Sequence, residues 1–148
     1  MNLPRSQKGF TLIELLIVVT LIGIMASIAL SVMNYNKYLG SSRNTRRRLD
    51  LHTISIALVQ YITDTSVIPQ TITENSTEIC ISDGTANCAG LIDLSVLTAN
   101  TKYLVSMPRD PKNENPNGTG YNIFRTTSGR ITVTAPLSEN QEVVEVTR

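Results

Sequence analysis

The sequence predicts an α+β fold: a long N-terminal α-helix, one half membrane-spanning and the other amphipathic, packed on a small antiparallel β-sheet head. Three observations predict it. The run Leu15–Met33 carries no charge; Leu51, Ile54, Leu58, Tyr61 and Ile62 recur at helical spacing with Ala57 beside them; and Tyr121–Thr126 and Arg130–Ala135 alternate in strand fashion around Thr127-Ser128-Gly129.

At about 1.5 Å per helical residue, the uncharged run is long enough for the ~30 Å apolar core of a bilayer. Glu14 stands at its edge, where a carboxylate is costly to insert and asks for a partner or a task. Before it lies MNLPRSQKG, a short polar leader made basic by Arg5 and Lys8. A secretory signal peptide is cut after its apolar region, as Ala26, Ser27 and Ala29 would allow, whereas here the Gly9–Phe10 junction precedes that region. A cut at Gly9 leaves a cationic amine on Phe10, an i, i+4 neighbour of Glu14 at a helix end whose dipole favours the acid. In an assembly, staggered helices can set Glu14 of one subunit against the Phe10 amine of the next, which fixes their register. Gly23, Ser27 and Ser31 line one helical face, and small residues at that spacing let helices approach closely in an apolar medium.

Past the span, Gly40-Ser41-Ser42 weakens the helix, yet no proline interrupts it. A single helix is therefore expected from Phe10 to about Thr65, with Gly40 as the place for a bend and Pro69 marking its end. Arg43, Arg46, Arg47 and Arg48 form a basic run in its outer half. With Lys37 they outnumber the leader cations, so loop charge alone would keep the C-terminal side in the cytoplasm. The processing junction and the cysteine pair argue for export instead. The run reads as a solvated face or as salt bridges to neighbouring subunits; DNA capture by a repeated cationic patch is the sharper alternative.

In the head, Cys80 and Cys88 flank Ser82-Asp83-Gly84, a spacing that suits a small disulfide-closed loop in an oxidising compartment. Two buried thiols would be the alternative. The two cysteines and the lone His52 do not complete a closed zinc site. Leu91–Thr98 suits a short helix and Tyr103-Leu104-Val105 a brief extended piece. The loop MPRDPKNENPNG holds Pro108, Pro111 and Pro116, which exclude a central strand. Its Asp110, Asn113, Glu114 and Asn117 offer oxygen ligands of the kind that hold calcium, but their spacing is not that of the EF-hand loop, so no metal is expected. Val143, Val144 and Val146 suggest a last strand. Asn75-Ser76-Thr77 and Asn117-Gly118-Thr119 are N-glycosylation triplets. With two Phe, five Tyr and no Trp, the core must be built from Val, Ile and Leu. The formal charge of +1 argues against a dedicated nucleic-acid binder.

The segment KGFTLIELLIVVTLIGIMASIA resembles the N-terminus of type IV pilins and of the pseudopilins of type II secretion. The resemblance is specific from Lys8 to about Ala29 and weaker through Tyr61. It implies cleavage after Gly9 by a prepilin peptidase, N-methylation of Phe10, and Glu14 as the assembly acid that pairs with the Phe10 amine of another subunit. Many members carry proline where this chain has Ser31.

This reading divides the chain into a cleaved leader (1–9), a transmembrane and assembly helix (10–33), the amphipathic outer helix (34–68) and the head (69–148). One His, no glycine-rich phosphate loop and no recognisable acid pair leave no catalytic constellation, so an enzyme is not expected, nor is a cofactor. The expected role is a pilus subunit. Its partners are copies of itself, the prepilin peptidase, the pilus assembly machinery and, before assembly, the inner membrane. A pseudopilin of a secretion or DNA-uptake system is the alternative. A monomeric membrane-anchored binding domain also explains the apolar helix, but not the Gly9–Phe10 junction with Glu14.

Overall fold

The computed structural model describes residues 9–32, 35–82 and 84–148. Helix α1 (Leu12–Val32) belongs to one compact unit, and everything from Asn36 onward forms another. Met33 and Asn34, where the expected single helix would run on, lie outside the described residues, as do residues 1–8 of the expected leader and Asp83 of the expected turn.

Helix α1 is apolar on every side and long enough, by length and composition, to cross a bilayer. The few polar side chains it carries past its first turn are turned back onto the helix. Thr20 donates to the Ile17 carbonyl at 2.8 Å, Ser27 to Ile24 at 2.7 Å and Ser31 to Ile28 at 2.8 Å. Each hydroxyl proton is thereby satisfied without water, which an apolar medium requires.

Helix α2 (Tyr35–Thr65) carries the predicted stripe. Leu51, Ile54, Ala57 and Leu58 are buried and Tyr61 and Ile62 are half-buried, packed with Tyr121, Ile123 and Val133 of the sheet. The helix passes through Gly40, where a bend was anticipated. A Cβ at Gly40 would lie 3.0 Å from the Asn140 amide nitrogen, which donates to the Lys37 carbonyl at 3.0 Å. Gly40 thus serves close approach of a loop to the helix.

The sheet is an antiparallel meander of β1 (Thr77–Cys80), β2 (Gly118–Arg125), β3 (Ile131–Thr134) and β4 (Glu145–Thr147), in sequence order. The anticipated hairpin is β2–β3, and the last strand is β4. Strand β1 falls within the Thr-, Asn-, Ser- and Gly-rich stretch from Pro69 to Gly90, whose composition suggests an ordered loop or short hairpin; the strand is four residues long with a register shift between Glu78 and Cys80. The short helix is confined to α3 (Ser95–Thr98), followed by a 3-10 turn at Ala99–Thr101. Tyr103-Leu104-Val105 is not a strand. The Leu104 amide bonds to the Leu97 carbonyl at 3.0 Å and its side chain is buried, while Val105 is exposed.

Cys80 and Cys88 form a disulfide. Closing so short a loop stabilises the chain by about 2.5 kcal/mol on the entropic account. Replacing both cysteines by serine should therefore lower the melting temperature of the head measurably while leaving the far-UV circular dichroism of α2 in place.

Candidate assembly segment and the clamp that carries the head

The candidate segment opens at Gly9 and Phe10, which are non-helical and exposed. Thr11 then caps α1: the Glu14 amide donates to Thr11 Oγ1 at 3.3 Å and to its carbonyl at 3.1 Å. Thr11-Leu12-Ile13-Glu14 is the T-x-x-E pattern of a capping box, a helix-start signal present in the sequence that the motif reading passed over. The Glu14 carboxylate itself is exposed, and among the described residues no cation pairs with it. Gly23, Ser27 and Ser31 are exposed on α1, and nothing within 4 Å would meet a Cβ on Gly23. Glycine inside a helix costs about 1 kcal/mol relative to alanine. Nothing within the described chain requires it there.

The arginine run is built differently from expectation. Arg47 is fully buried, its Nε donating to Asp110 Oδ2 at 2.6 Å and Nη2 to Oδ1 at 3.0 Å, a bidentate pair whose carboxylate is also fully buried. Arg47 Nη1 reaches Asn44 Oδ1 at 2.8 Å and Glu139 at 3.2 Å. Arg43 holds Glu139 through two bonds of 2.6 and 2.8 Å, Lys112 holds it at 2.7 Å, and Arg48 reaches Glu142 at 2.7 Å. Arg46 is mostly exposed, 4.0 Å from Asp50. Three of the four arginines are therefore paired with acids from loops of the same head, with Arg47 fully buried, Arg43 half-buried and Arg48 still exposed to solvent. Isolated positions in the run do not reveal this, because the acids lie between 63 and 96 residues away.

The same pairing corrects the picture of Asp110 as an available oxygen ligand. Its carboxylate is occupied by Arg47 and by the Lys112 amide at 2.8 Å. Asn113 likewise spends its amide on the Gly118 carbonyl at 2.6 Å, and Asn117 accepts from the Asn87 amide at 3.1 Å. Among the described residues no cluster of His, Cys, Asp and Glu could hold a metal. Of the two triplets, Asn75 is exposed, whereas Thr119 is buried and its hydroxyl donates to the Ile79 carbonyl at 3.0 Å.

Hydrogen bonds from Arg43, then from Lys112, hold the Glu139 carboxyl far below its ordinary value of 4.5. A depressed folded-state value means that this group stabilises the head fully above pH 4.5 and loses that contribution as the pH falls below it. Melting temperatures from pH 7 to 3 should fall more steeply for the native chain than for Glu139→Gln. Burial, followed by the 2.6 Å bond to Asp50, raises Tyr121 well above the usual phenol value, so its hydroxyl stays a donor.

Residues 4–30 match the family described as a prokaryotic N-terminal methylation motif. The N-terminal segment is that of the type IV pilin family. Proteins similar to the N-terminal part of this chain include the type IV major alpha-pilin and fimbrial protein Q of Moraxella bovis. Each is 56% identical over 42 residues, which is 28% of this chain and 25% and 26%, respectively, of theirs. A fimbrial protein of Pseudomonas aeruginosa is 36% identical over 74 residues, 50% of this chain and 47% of its own. The chain thus spans between about a quarter and a half of the length of these curated relatives. No solved structure matches the chain.

Proposed function

We propose that the chain is a structural, non-catalytic subunit of a type IV pilus. It is made as a single-pass inner-membrane precursor with an exported head, cut after Gly9 by a prepilin peptidase, methylated on Phe10, and polymerised through α1 into a surface filament by the pilus assembly machinery. The observation that carries this reading is a helix apolar on every side whose lone acid, Glu14, stands within the first turn after the Gly9–Phe10 junction. Such a helix needs a lipid or protein surround on all faces. The acid needs a cation, and the described residues offer it none. A new amine on Phe10 of a neighbouring subunit supplies one. The open face at Gly23, Ser27 and Ser31 supports close helix packing in the same assembly.

Mass spectrometry of the N-terminal peptide from sheared surface material tests this directly. The expected peptide begins with N-methyl-Phe10. Gly9→Leu should abolish cutting and leave an uncleaved mass in the membrane fraction. Native material that retains Met1 and never sediments as filaments would overturn the reading and leave a monomeric anchored domain in its place.

A further inference from the structure

The threonine hydroxyls of α2 are all turned back onto the helix: Thr45, Thr53, Thr63 and Thr65 each donate to the carbonyl four residues earlier, at 2.8 to 3.0 Å. Ser55 is different. The residue is 3% exposed, yet its hydroxyl makes no hydrogen bond among the described residues and is not sealed from solvent. It lines a cavity of about 240 Å³ between the outer half of α2 and the end of the sheet, and there it meets water. Leu58, Val59 and Ile62 of the helix, with Ile68 and Ile131, supply the apolar walls. Arg148 flanks them, held beside Ile131 by a pair of 2.9 Å backbone bonds. Its guanidinium has no acid partner among the described residues, and no Asp or Glu lines the space. A buried hydroxyl without a partner is costly unless something bonds to it. Here it opens on the same apolar cavity as an unmatched cation.

We propose that this cavity binds a small amphipathic monoanion, an aliphatic carboxylate of medium chain length. Cavities that enclose drug-sized ligands run from about 300 Å³ upward, so this one suits a smaller molecule. Its walls favour a hydrocarbon chain, through the apolar area that such a chain removes from water. One cation and no acid call for a single negative charge; a second would enter an apolar space uncompensated. A carboxylate has two acceptor oxygens, enough for the guanidinium and the Ser55 hydroxyl together. A neutral alcohol leaves Arg148 unmatched. The cavity is built wholly within the head, with no residue of α1 in its lining, so the inference stands apart from the pilus reading.

The test uses the full-length, isotope-labelled chain in nanodiscs of zwitterionic lipid, titrated with octanoate and, as the uncharged match, octanol, and followed by amide and methyl chemical shifts. Octanoate is expected to shift residues 55–63, 129–131 and 148 saturably, and octanol to bind more weakly. Arg148→Gln should weaken octanoate by up to about fivefold, the range of an exposed ion pair, and leave octanol unchanged. Ser55→Ala, a near-isosteric change, should weaken octanoate about two- to tenfold by removing one hydrogen bond. Ser55→Leu fills the cavity and should abolish the shifts. The proposal is overturned if octanoate moves no cavity residue, or if octanol binds as tightly as octanoate. It is equally overturned if the same residues shift with protein concentration in the absence of ligand, which would assign the cavity to a second copy of the chain. Failure to find cut, methylated subunits or filaments leaves this result standing.

Discussion

Glu14→Ala is expected to leave membrane insertion and Gly9 processing intact while removing surface filaments. The start of α1 does not depend on the carboxylate, because the contact to Thr11 is made by the Glu14 backbone amide, which alanine retains. Insertion should even become easier with the charge gone. In the assembly proposed above, what the substitution removes is the counterion for the neighbour's Phe10 amine. An ionised group left unpaired in an apolar surround costs about 3 to 5 kcal/mol, which is a loss of more than a hundredfold in the subunit's association constant. Quantitative blotting of sheared and membrane fractions reads both halves of the outcome. Normal filament yield from Glu14→Ala would remove the electrostatic register from the account.

The second large effect is expected within the head. Arg47→Ala leaves the Asp110 carboxylate buried beside a void, and Asp110→Ala leaves the guanidinium so; either should destabilise the head by about 3 to 5 kcal/mol. Against a total of about 5 to 15 kcal/mol for a domain, this is a large fraction. At roughly 4 °C or more per kcal/mol, the melting temperature should fall by more than 10 °C. Arg46→Ala, one position away and exposed, should shift it little. Thermal melts of the three variants by near-ultraviolet circular dichroism decide the matter. Removing both charges together with apolar residues of similar volume should cost less than removing either alone, because no orphaned ion remains.

The contrast between Arg46 and Arg47 also marks what the sequence makes legible. Periodicity reveals the buried stripe Leu51, Ile54 and Leu58 because those side chains repeat every turn against a single surface. The β2–β3 hairpin is announced by alternation around Thr127-Ser128-Gly129, and the Cys80–Cys88 bridge by short spacing. Strand β1 escapes notice because its four residues are polar at one end and irregular in register. The clamp escapes because its partners meet only after the chain has folded. Of the proposed assembly segment, Gly9, Phe10 and Glu14 stand out by local order, and the Thr11 cap is legible in the same way.

The hydroxyls of Thr20, Ser27 and Ser31, each folded onto its own helix, have a consequence for the work of moving a subunit. A cylinder with no outward polar proton greets acyl chains and sister helices on nearly equal terms. Transfer between the two surrounds is then close to an exchange of like solvents. In the fibre proposed here a small mechanical force can tip it either way, and the same residues that permit extrusion permit disassembly back into the lipid pool.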